Sequence, residues 1–586
     1  MSEEAVWRRR FRATSVSLPD WARDAPHRLL HVSNESGRSE LHAWDRATGA
    51  RRQVTDRPEG TVLGALDPAG EVVWWFDDDR GDELGTWRSE PFAGGAPSRA
   101  AAPGVEPAYP AGLALGRGFA LVGTSTDAGS RVWLSAADGD PDVLYAHRED
   151  ARVAGLSRDE TLLAIGHSEH GDSRHPALRV VERGGRRVAD LWDGDGLGVG
   201  AGPWSPVPGD QRLVVHREGA GVTRPAVWAP LDGALTDVAL ELPGEVQAAA
   251  WYPDAGALLL VHDHAGRREL HRYDLGSGRA VRLDAPAGTL SPVAVRPDGR
   301  LWYQHSNGAT PPRLLEDGRP LLEPPGSPPA PGVPYRDVRA GQVHGFVAEP
   351  PGPGPHPTLF WVHGGPTGHD RDAWSPFVQA WVDHGFAVVL VNYRGSSGYG
   401  REWRDALQAS PGLCEIDDVR AVRDRLVADG VADPRRLVLG GASWGGYVAL
   451  LGLGRQPDAW SLGLGVVPVA DYVAAYEDEM ESLKAFDRAL FGGTPAERPE
   501  FYRERSPMTF VDQVRVPVLV MAGRNDPRCP IRQIENYLER LRALGRPHEY
   551  YEFEAGHSSQ VVDERLRQVE AQLAFAHRHL GTPAPM

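Results

Sequence analysis

A β-rich unit recurs seven times along the first part of the chain, and this repeat constrains the fold more than any other feature. Each copy pairs a polar turn with a short apolar run, such as residues 67–70 before 72–76 and residues 296–299 before 301–303. The copies are spaced by about 42–51 residues, close to the length of a four-stranded propeller blade. One blade cannot bury both of its faces, so blades stack in a ring. We predict a seven-bladed β-propeller over residues 26–322; a solenoid or stacked sandwiches are the alternatives.

A proline- and glycine-rich stretch at residues 323–335 separates the repeat from the rest of the chain. Such a stretch cannot hold a regular β-ladder, so we interpret it as a linker. Beyond it, continuous apolar strands alternate with amphipathic helices such as residues 415–429 and 531–544. This alternation predicts a mostly parallel sheet covered on both faces, and hence an α/β domain over residues 336–586. Residues 1–25 are interpreted as an amino-terminal extension that could pack on this domain.

The sequence Gly-Ala-Ser-Trp-Gly at residues 441–445 lies between a predicted strand and a predicted helix. This order is typical of a nucleophile elbow, a turn so tight that its flanking positions accept almost no side chain. The turn lifts Ser443 out of the sheet and towards a substrate. We therefore predict a carboxyl-terminal α/β-hydrolase domain, with an all-β seven-bladed propeller before it.

A serine hydroxyl needs a base to take its proton, and that base needs a third group to orient it. In an α/β-hydrolase these follow in the order serine, acid, histidine. Asp526 and His557 both come just after predicted strands, in that order, at the same sheet edge as Ser443. Taken singly, either is more simply explained as a solvated loop residue. Together they predict a catalytic triad.

The tetrahedral intermediate of acyl transfer also needs donors for its oxyanion. Trp444 follows the nucleophile and offers one backbone N–H group. The turn His-Gly-Gly-Pro at residues 363–366 directly follows the first strand of this domain, and its paired glycines allow a close approach to a ligand. We predict that Gly365 and Trp444 form the oxyanion hole.

These motifs resemble the prolyl oligopeptidase family of serine peptidases, and most closely its acylaminoacyl-peptidase-like and dipeptidyl-peptidase-like branch. The motifs that carry the resemblance lie within roughly residues 335–580: HGGP from His363, NYRGSSGYG from Asn392, GASWGGY from Gly441, NDPRCP from Asn525 and AGHSS from Ala555. The resemblance implies the triad given above and a propeller that restricts access to short peptides.

The resemblance also implies substrate-binding residues. Arg528 would bind a substrate carbonyl, and Tyr472 and Phe486 would line the pocket for the side chain before the scissile bond. Members with a tyrosine hydroxyl in the oxyanion hole carry it where this chain has His363, which is why we expect backbone donors here. Pro527 and Cys529 also differ from many relatives, which leaves the shape of the pocket open.

We therefore predict a serine peptidase that hydrolyses short peptides or aryl-amides through an acyl-enzyme and releases amino-terminal residues, either free or acylated. A free terminal ammonium would need paired carboxylates, and Glu169 and the cluster at Glu477 are the candidates. The alternative enzyme is an esterase or amidase acting on a small acylated metabolite. The alternative outside enzymes is a binding protein with an inert hydrolase half.

The net charge and the cysteine content limit which classes of partner and which compartment we expect. The net charge of −17, from 63 basic and 80 acidic residues, disfavours nucleic acid and anionic membranes. The 2 cysteines permit no disulfide framework, and with no apolar leader at the start of the sequence they predict a cytoplasmic protein. No cofactor and no metal ion are predicted; the histidines at 167, 170 and 175 lack the spacing of a zinc site. The oligomeric state is left open, including a homo-oligomer.

Overall fold

The computed structural model describes residues 4–136 and 139–581, so residues 1–3 of the predicted extension, residues 137–138 of the predicted propeller and residues 582–586 of the predicted α/β domain lie outside it. The predicted fold class is confirmed. Seven four-stranded sheets precede one eight-stranded sheet. No helix within the described ranges is long and apolar enough to cross a bilayer.

Each blade is an antiparallel sheet of strands consecutive in the chain, because short polar turns join apolar runs of strand length. Blades 1 to 4 contain β1 (Asp20–Trp21), β2 (Arg28–Ser33), β3 (Glu40–Asp45), β4 (Arg51–Gln53); β5 (Gly64–Leu66), β6 (Val72–Asp78), β7 (Gly85–Pro91), β8 (Arg99–Ala100); β9 (Tyr109–Gly116), β10 (Phe119–Thr126), β11 (Gly129–Ala136), β12 (Asp142–His147); β13 (Ala151–Leu156), β14 (Leu162–His167), β15 (Ala177–Glu182), β16 (Arg187–Leu191). Blades 5 to 7 contain β17 (Val199–Trp204), β18 (Leu213–Arg217), β19 (Arg224–Ala229), β20 (Ala234–Asp237); β21 (Glu245–Trp251), β22 (Ala257–His264), β23 (Arg267–Asp274), β24 (Arg279–Arg282); β25 (Thr289–Val295), β26 (Leu301–Asn307), β27 (Thr310–Glu316), β28 (Arg319–Leu322).

The second domain is built on a sheet of order β29-β30-β32-β31-β33-β34-β35-β36, in which β31 to β36 run parallel to one another and β30 is antiparallel to both of its neighbours, β29 and β32. Its strands are β29 (Arg336–Ala340), β30 (Val343–Ala348), β31 (His356–Val362), β32 (Ala387–Asn392), β33 (Ala432–Ala442), β34 (Leu462–Val466), β35 (Val518–Gly523) and β36 (His548–Phe553). The helices are α1 (Val6–Arg12), α2 (Pro376–Asp383), α3 (Arg401–Ala409), α4 (Leu413–Ala428), α5 (Trp444–Arg455), α6 (Tyr472–Asp478), α7 (Glu481–Phe491), α8 (Pro499–Arg505), α9 (Pro507–Phe510), α10 (Ile531–Ala543) and α11 (Val562–Leu580).

Helix α1 was not foreseen from the sequence, and it packs on the hydrolase domain rather than on the propeller. Trp7 and Phe11 join the hydrophobic core on one face of the eight-stranded sheet, beside Trp381 of α2. Arg10 pairs with Asp383 at 2.5 Å. The propeller is therefore connected to the hydrolase domain at both ends: α1 precedes its first strand, and the linker at 323–335 leads from its last strand into β29.

Candidate active site

Ser443 lies at the turn between β33 and α5, with left-handed backbone angles of φ 57° and ψ −125°. The neighbouring glycines make this turn possible. A Cβ atom on Gly445 would lie 1.9 Å from the carbonyl oxygen of Val362, and one on Gly441 would lie 2.4 Å from the carbonyl oxygen of Gly445. Side chains at these positions would clash with backbone, which cannot yield. The predicted nucleophile elbow is present, with Ser443 partly exposed at its tip.

Asp526 orients the candidate base. Its Oδ1 accepts the backbone N–H groups of Arg528 at 2.8 Å and Cys529 at 3.0 Å. Its Oδ2 accepts from Nδ1 of His557 at 2.8 Å. The Asp526 side chain is fully buried, and His557 is half-buried. Because a carboxylate can only accept, Nδ1 of His557 carries the proton, and Nε2 is the nitrogen left to receive a proton from a serine.

The serine and histidine loops meet at the end of β34. The N–H of Ser443 donates to the carbonyl oxygen of Val466 at 2.9 Å. Val467, with φ of 41°, packs against Phe553 and Ala555, immediately before the His557 loop. The structure therefore brings Ser443, Asp526 and His557 to the same edge of the parallel sheet, and their action as a catalytic triad stays a prediction.

The glycine turn at residues 363–366 lies directly beside the nucleophile. A Cβ atom on Gly364 would lie 3.3 Å from Cβ of Ser443 and 3.8 Å from the backbone nitrogen of Trp444. Gly365 has φ of 134°, a conformation open to glycine, and precedes a cis peptide bond to Pro366. The turn that carries Gly365 therefore lies beside Ser443 and Trp444, and the role of Gly365 and Trp444 as the oxyanion hole stays a prediction.

His363, at the start of this turn, is a structural residue. Burial lowers its pKa to about 4, so the imidazole is neutral at physiological pH. Its Nδ1 donates to the carbonyl oxygen of Gly364 at 2.9 Å, and its Nε2 accepts from the Ser396 hydroxyl at 2.8 Å. The ring stacks on Tyr393 with centroids 4.2 Å apart. Tyr393 and Ser396 belong to the motif that begins at Asn392, and their contacts with His363 hold the glycine turn in place.

Glu415 of α4 is a functional candidate that the sequence analysis missed. It is fully buried, and its Oε1 accepts the indole N–H of Trp444 at 3.0 Å. Its Oε2 accepts from the Cys414 thiol at 3.2 Å. Burial raises the pKa of this carboxyl to about 7. Glu415 therefore anchors the side chain of the residue after the nucleophile.

Arg528 is engaged by the propeller. Its guanidinium pairs with both carboxylate oxygens of Glu83, each at 2.8 Å, and Glu83 lies in the turn between β6 and β7. Burial raises the pKa of the neighbouring Cys529 thiol, which keeps it protonated. Cys529 therefore stays a passive thiol.

The two predicted pocket residues lie deeper in the domain. Tyr472 is 2% exposed and donates its hydroxyl to Asp487 at 3.3 Å. Phe486 is partly buried and packs against the same core. Trp444 lies 6.4 Å from Tyr472 between ring centroids, so this aromatic cluster begins next to the nucleophile. The pocket-lining roles of Tyr472 and Phe486 stay predictions.

A cavity of about 250 Å³ lies between the propeller and the His557 loop. Blades 1 and 2 supply acidic side chains to its wall, at Glu59, Asp78 and Glu83, and the hydrolase domain supplies Arg528 and His557. Glu59 and Asp78 were not found from the sequence, because residues so distant in the chain carry no motif that links them to the triad.

Comparison with known proteins agrees with this geometry. Residues 374–583 match the family model described as the prolyl oligopeptidase family. The carboxyl-terminal domain belongs to this family. The chain is 26% identical over 371 residues to the acylamino-acid-releasing enzyme of Rattus norvegicus, across 57% of this chain and 50% of that protein. It is 29% identical over 214 residues to dipeptidyl aminopeptidase BIII of Pseudoxanthomonas mexicana, across 35% of this chain and 30% of that protein.

Solved structures share the whole two-domain fold. A puromycin hydrolase superposes with a TM-score of 0.82 at 23% identity, covering 100% of this chain and 98% of the other. The acylaminoacyl peptidase of Pyrococcus horikoshii superposes with a TM-score of 0.72 at 17% identity, covering 99% and 98%. By contrast, the chain spans half the length or less of the two curated relatives named above.

Proposed function

We propose that this protein is a serine peptidase that releases amino-terminal residues from short peptides or aryl-amides. The observation that carries the proposal is the His557–Asp526 hydrogen bond of 2.8 Å, at the sheet edge where Ser443 is held on its strained turn. A triad of this kind serves acyl transfer. Ser443 attacks the carbonyl carbon while His557 takes its proton, and Asp526 stabilises the imidazolium that forms.

Backbone N–H groups of Trp444 and Gly365 would bind the developing oxyanion. His557 then passes its proton to the leaving amine, which departs and leaves an acyl-enzyme on Ser443. Water, activated by the same histidine, hydrolyses this ester and restores the serine. The propeller covers the approach to His557, which supports a preference for short substrates.

A free α-amino group is the substrate end that the cavity fits best. The two carboxylates proposed from the sequence are already paired, Glu169 with Arg179 and Glu477 with Arg532. Glu59 instead lines the cavity beside His557, and burial raises the pKa of its carboxyl. A substrate ammonium group bound beside Glu59 would pair with the carboxylate of this residue. One protein of similar fold is named puromycin hydrolase. Puromycin is an amide with a free amine, so it is a suitable first substrate to test.

Labelling with a fluorophosphonate tests the nucleophile. We expect the full-length protein to be labelled and Ser443→Ala to lose both labelling and amide hydrolysis. Ser558→Ala is the matched control, because Ser558 lines the same cavity and should leave labelling unchanged. Labelling retained in Ser443→Ala would refute the assignment, and an unlabelled native protein would favour a binding role.

Three substrates of equal sequence test the recognised end: a free-amine aryl-amide, its acetylated form, and the same residues placed inside a longer peptide. We expect the free amine to have the highest kcat/KM, and Glu59→Gln to lower that value by at least about tenfold, since a hydrogen bond to a charged group contributes roughly 1.5–3 kcal/mol. Acetylated substrate should be unaffected by Glu59→Gln. Preference for acetylated substrate would indicate an acylaminoacyl peptidase, and cleavage of esters alone would indicate an esterase.

A further inference from the structure

Two histidines and a glutamate converge on one face of the sixth propeller blade, far from the triad in the chain. His262 of β22 lies directly opposite Glu269 of β23 in the antiparallel register. His271 is two residues further along β23, so it shares the face of Glu269. We call these three residues the blade-6 cluster.

The potential ligand atoms of the blade-6 cluster face one another. Nδ1 of His262 lies 3.6 Å from Oε2 of Glu269, and Nε2 of His271 lies 3.7 Å from the same oxygen. Both histidines are 6% exposed, and both nitrogens are buried without a hydrogen-bond partner among the described residues. Two unpartnered buried nitrogens aimed at one carboxylate oxygen call for a physical explanation.

The hydrogen bond made by the other ring nitrogen of His262 leaves its Nδ1 available as a metal ligand. Nε2 of His262 lies 2.5 Å from the carbonyl oxygen of Pro243, so it must carry the proton. In the neutral ring, Nδ1 then presents a lone pair towards the Glu269 carboxylate. Neutral imidazoles and a carboxylate are the forms that bind a metal ion.

We propose that the blade-6 cluster binds a divalent transition-metal ion, preferably Zn²⁺, through Nδ1 of His262, Nε2 of His271 and Oε2 of Glu269. Bonds of about 2.0–2.2 Å at tetrahedral to trigonal angles separate ligand atoms by roughly 3.3–3.6 Å, close to the distances here. Water would complete the coordination, because the Glu269 side chain is 39% exposed. The Pro243 carbonyl on His262 and Arg282 on Oε1 of Glu269, at 3.0 Å, are outer partners of the kind that orient metal ligands.

A cluster of similar composition in the fourth blade differs from the blade-6 cluster because it is a network of ion pairs. In the fourth blade, His167 already bonds Asp190 at 3.1 Å, and Arg179 pairs with both Asp190 and Glu169. Every acidic group there has a cationic or hydrogen-bonded partner. The sequence predicted no metal ion at these histidines, and the proposed site is a different one.

The bound ion would stiffen the hairpin that reaches the hydrolase domain. Asp263, next to His262, lies 3.3 Å from Nε2 of His369. Arg267, at the start of β23, pairs with Asp337 of β29 at 2.8 Å. A metal between β22 and β23 would therefore support this interdomain contact.

Metal content tests the proposal directly. Full-length protein without a polyhistidine tag is stripped with a chelator, reloaded with Zn²⁺, desalted and measured by plasma mass spectrometry. We expect about one zinc per chain, and at least tenfold less in His271→Asn and in Glu269→Gln. His305→Asn is the matched control, because His305 is equally buried and also bonds a backbone carbonyl, at 3.0 Å, but belongs to the next blade. Labelling of Ser443 reports that each variant is folded.

Co²⁺ provides a second readout, since a tetrahedral or five-coordinate ion with nitrogen ligands gives visible absorption. We expect this absorption in the native protein and in His305→Asn only, together with a rise of the Tm on adding Zn²⁺. A native protein that retains no zinc would overturn the proposal. So would zinc retained equally by His271→Asn and Glu269→Gln.

Discussion

Replacing Asp526 with asparagine isolates the orienting role of the acid, because the two residues have the same shape. Oδ1 accepts two backbone N–H groups at 2.8 and 3.0 Å, and these donors hold the amide oxygen of the variant in the same place. Flipping the amide would leave both donors facing an NH₂ group, at a cost of about 1–3 kcal/mol for each. The amide nitrogen is therefore directed at Nδ1 of His557.

A donor at that position forces the proton of His557 onto Nε2, and the ring can no longer accept the serine proton. In a triad this tautomer error lowers kcat about 10⁴-fold, equivalent to roughly 5.5 kcal/mol of the barrier. We expect a loss of about 10³–10⁴-fold in kcat for Asp526→Asn, with KM changed little, in a steady-state assay with a free-amine aryl-amide.

Asp433→Asn is the matched control, because Asp433 also accepts a backbone N–H, from Arg435 at 2.9 Å, but lies at the opposite end of β33 from the nucleophile. It should keep full activity. The Tm of Asp526→Asn should stay close to that of the native protein. A loss smaller than tenfold in the folded variant would refute the role of Asp526 as the orienting acid.

Three further predictions follow from the site. Gly445→Ala should prevent folding of the hydrolase domain, because its Cβ would lie 1.9 Å from the carbonyl oxygen of Val362. Gly184→Ala is the control and should express normally, because no atom lies within 4 Å of the added Cβ. A folded and active Gly445→Ala variant would contradict the elbow geometry. Glu415→Gln should gain stability over the native protein as pH rises. The pKa of Glu415 is about 7 in the folded protein and about 4.3 in the unfolded chain, so the free energy of unfolding of the native protein falls between these pH values by up to roughly 1.4 kcal/mol per pH unit. The difference in the free energy of unfolding between Glu415→Gln and the native protein, measured with urea, should therefore grow by about 2–3 kcal/mol from pH 5 to 7.5. A difference that does not change with pH would show that the carboxyl is already ionised at pH 5. Arg528→Gln should raise KM about tenfold with kcat nearly unchanged, if the arginine binds a substrate carbonyl, and an unchanged KM would show that it serves only to hold Glu83.

Residues that act through local chain geometry could be predicted from the sequence. The elbow at Ser443 depends on glycines within two or three positions, and Asp526 and His557 follow strands whose apolar runs are plain. Their joint placement then follows from the rule that carboxyl ends of parallel strands share an edge. For the same reason the turns of the seven blades could be counted directly.

Partners brought together only by tertiary packing could not be predicted. Glu415 supports Trp444 from a different helix, and Glu83 reaches Arg528 across 445 residues and a domain boundary. Charged surface residues give no local pattern that distinguishes such a partner from a solvated one. The blade-6 cluster was missed for a related reason, because its short spacing, His-x₆-Glu-x-His, becomes meaningful only in the antiparallel register of β22 and β23.

The turn between β6 and β7 contacts the loop that carries His557, and this contact has a consequence for how access to the candidate site would be controlled. A Cβ atom on Gly556, the residue before His557, would lie 1.8 Å from the carbonyl oxygen of Gly81, so the two backbones touch without intervening side chains. Asn525, the residue before Asp526, also donates to the carbonyl oxygen of Arg80 at 3.4 Å. If the two domains separate to admit a substrate, the base and its acid lose this external wall. Chemistry would then be confined to the closed molecule, and a folded protein too large to be enclosed would meet a nucleophile whose base is not yet held in place.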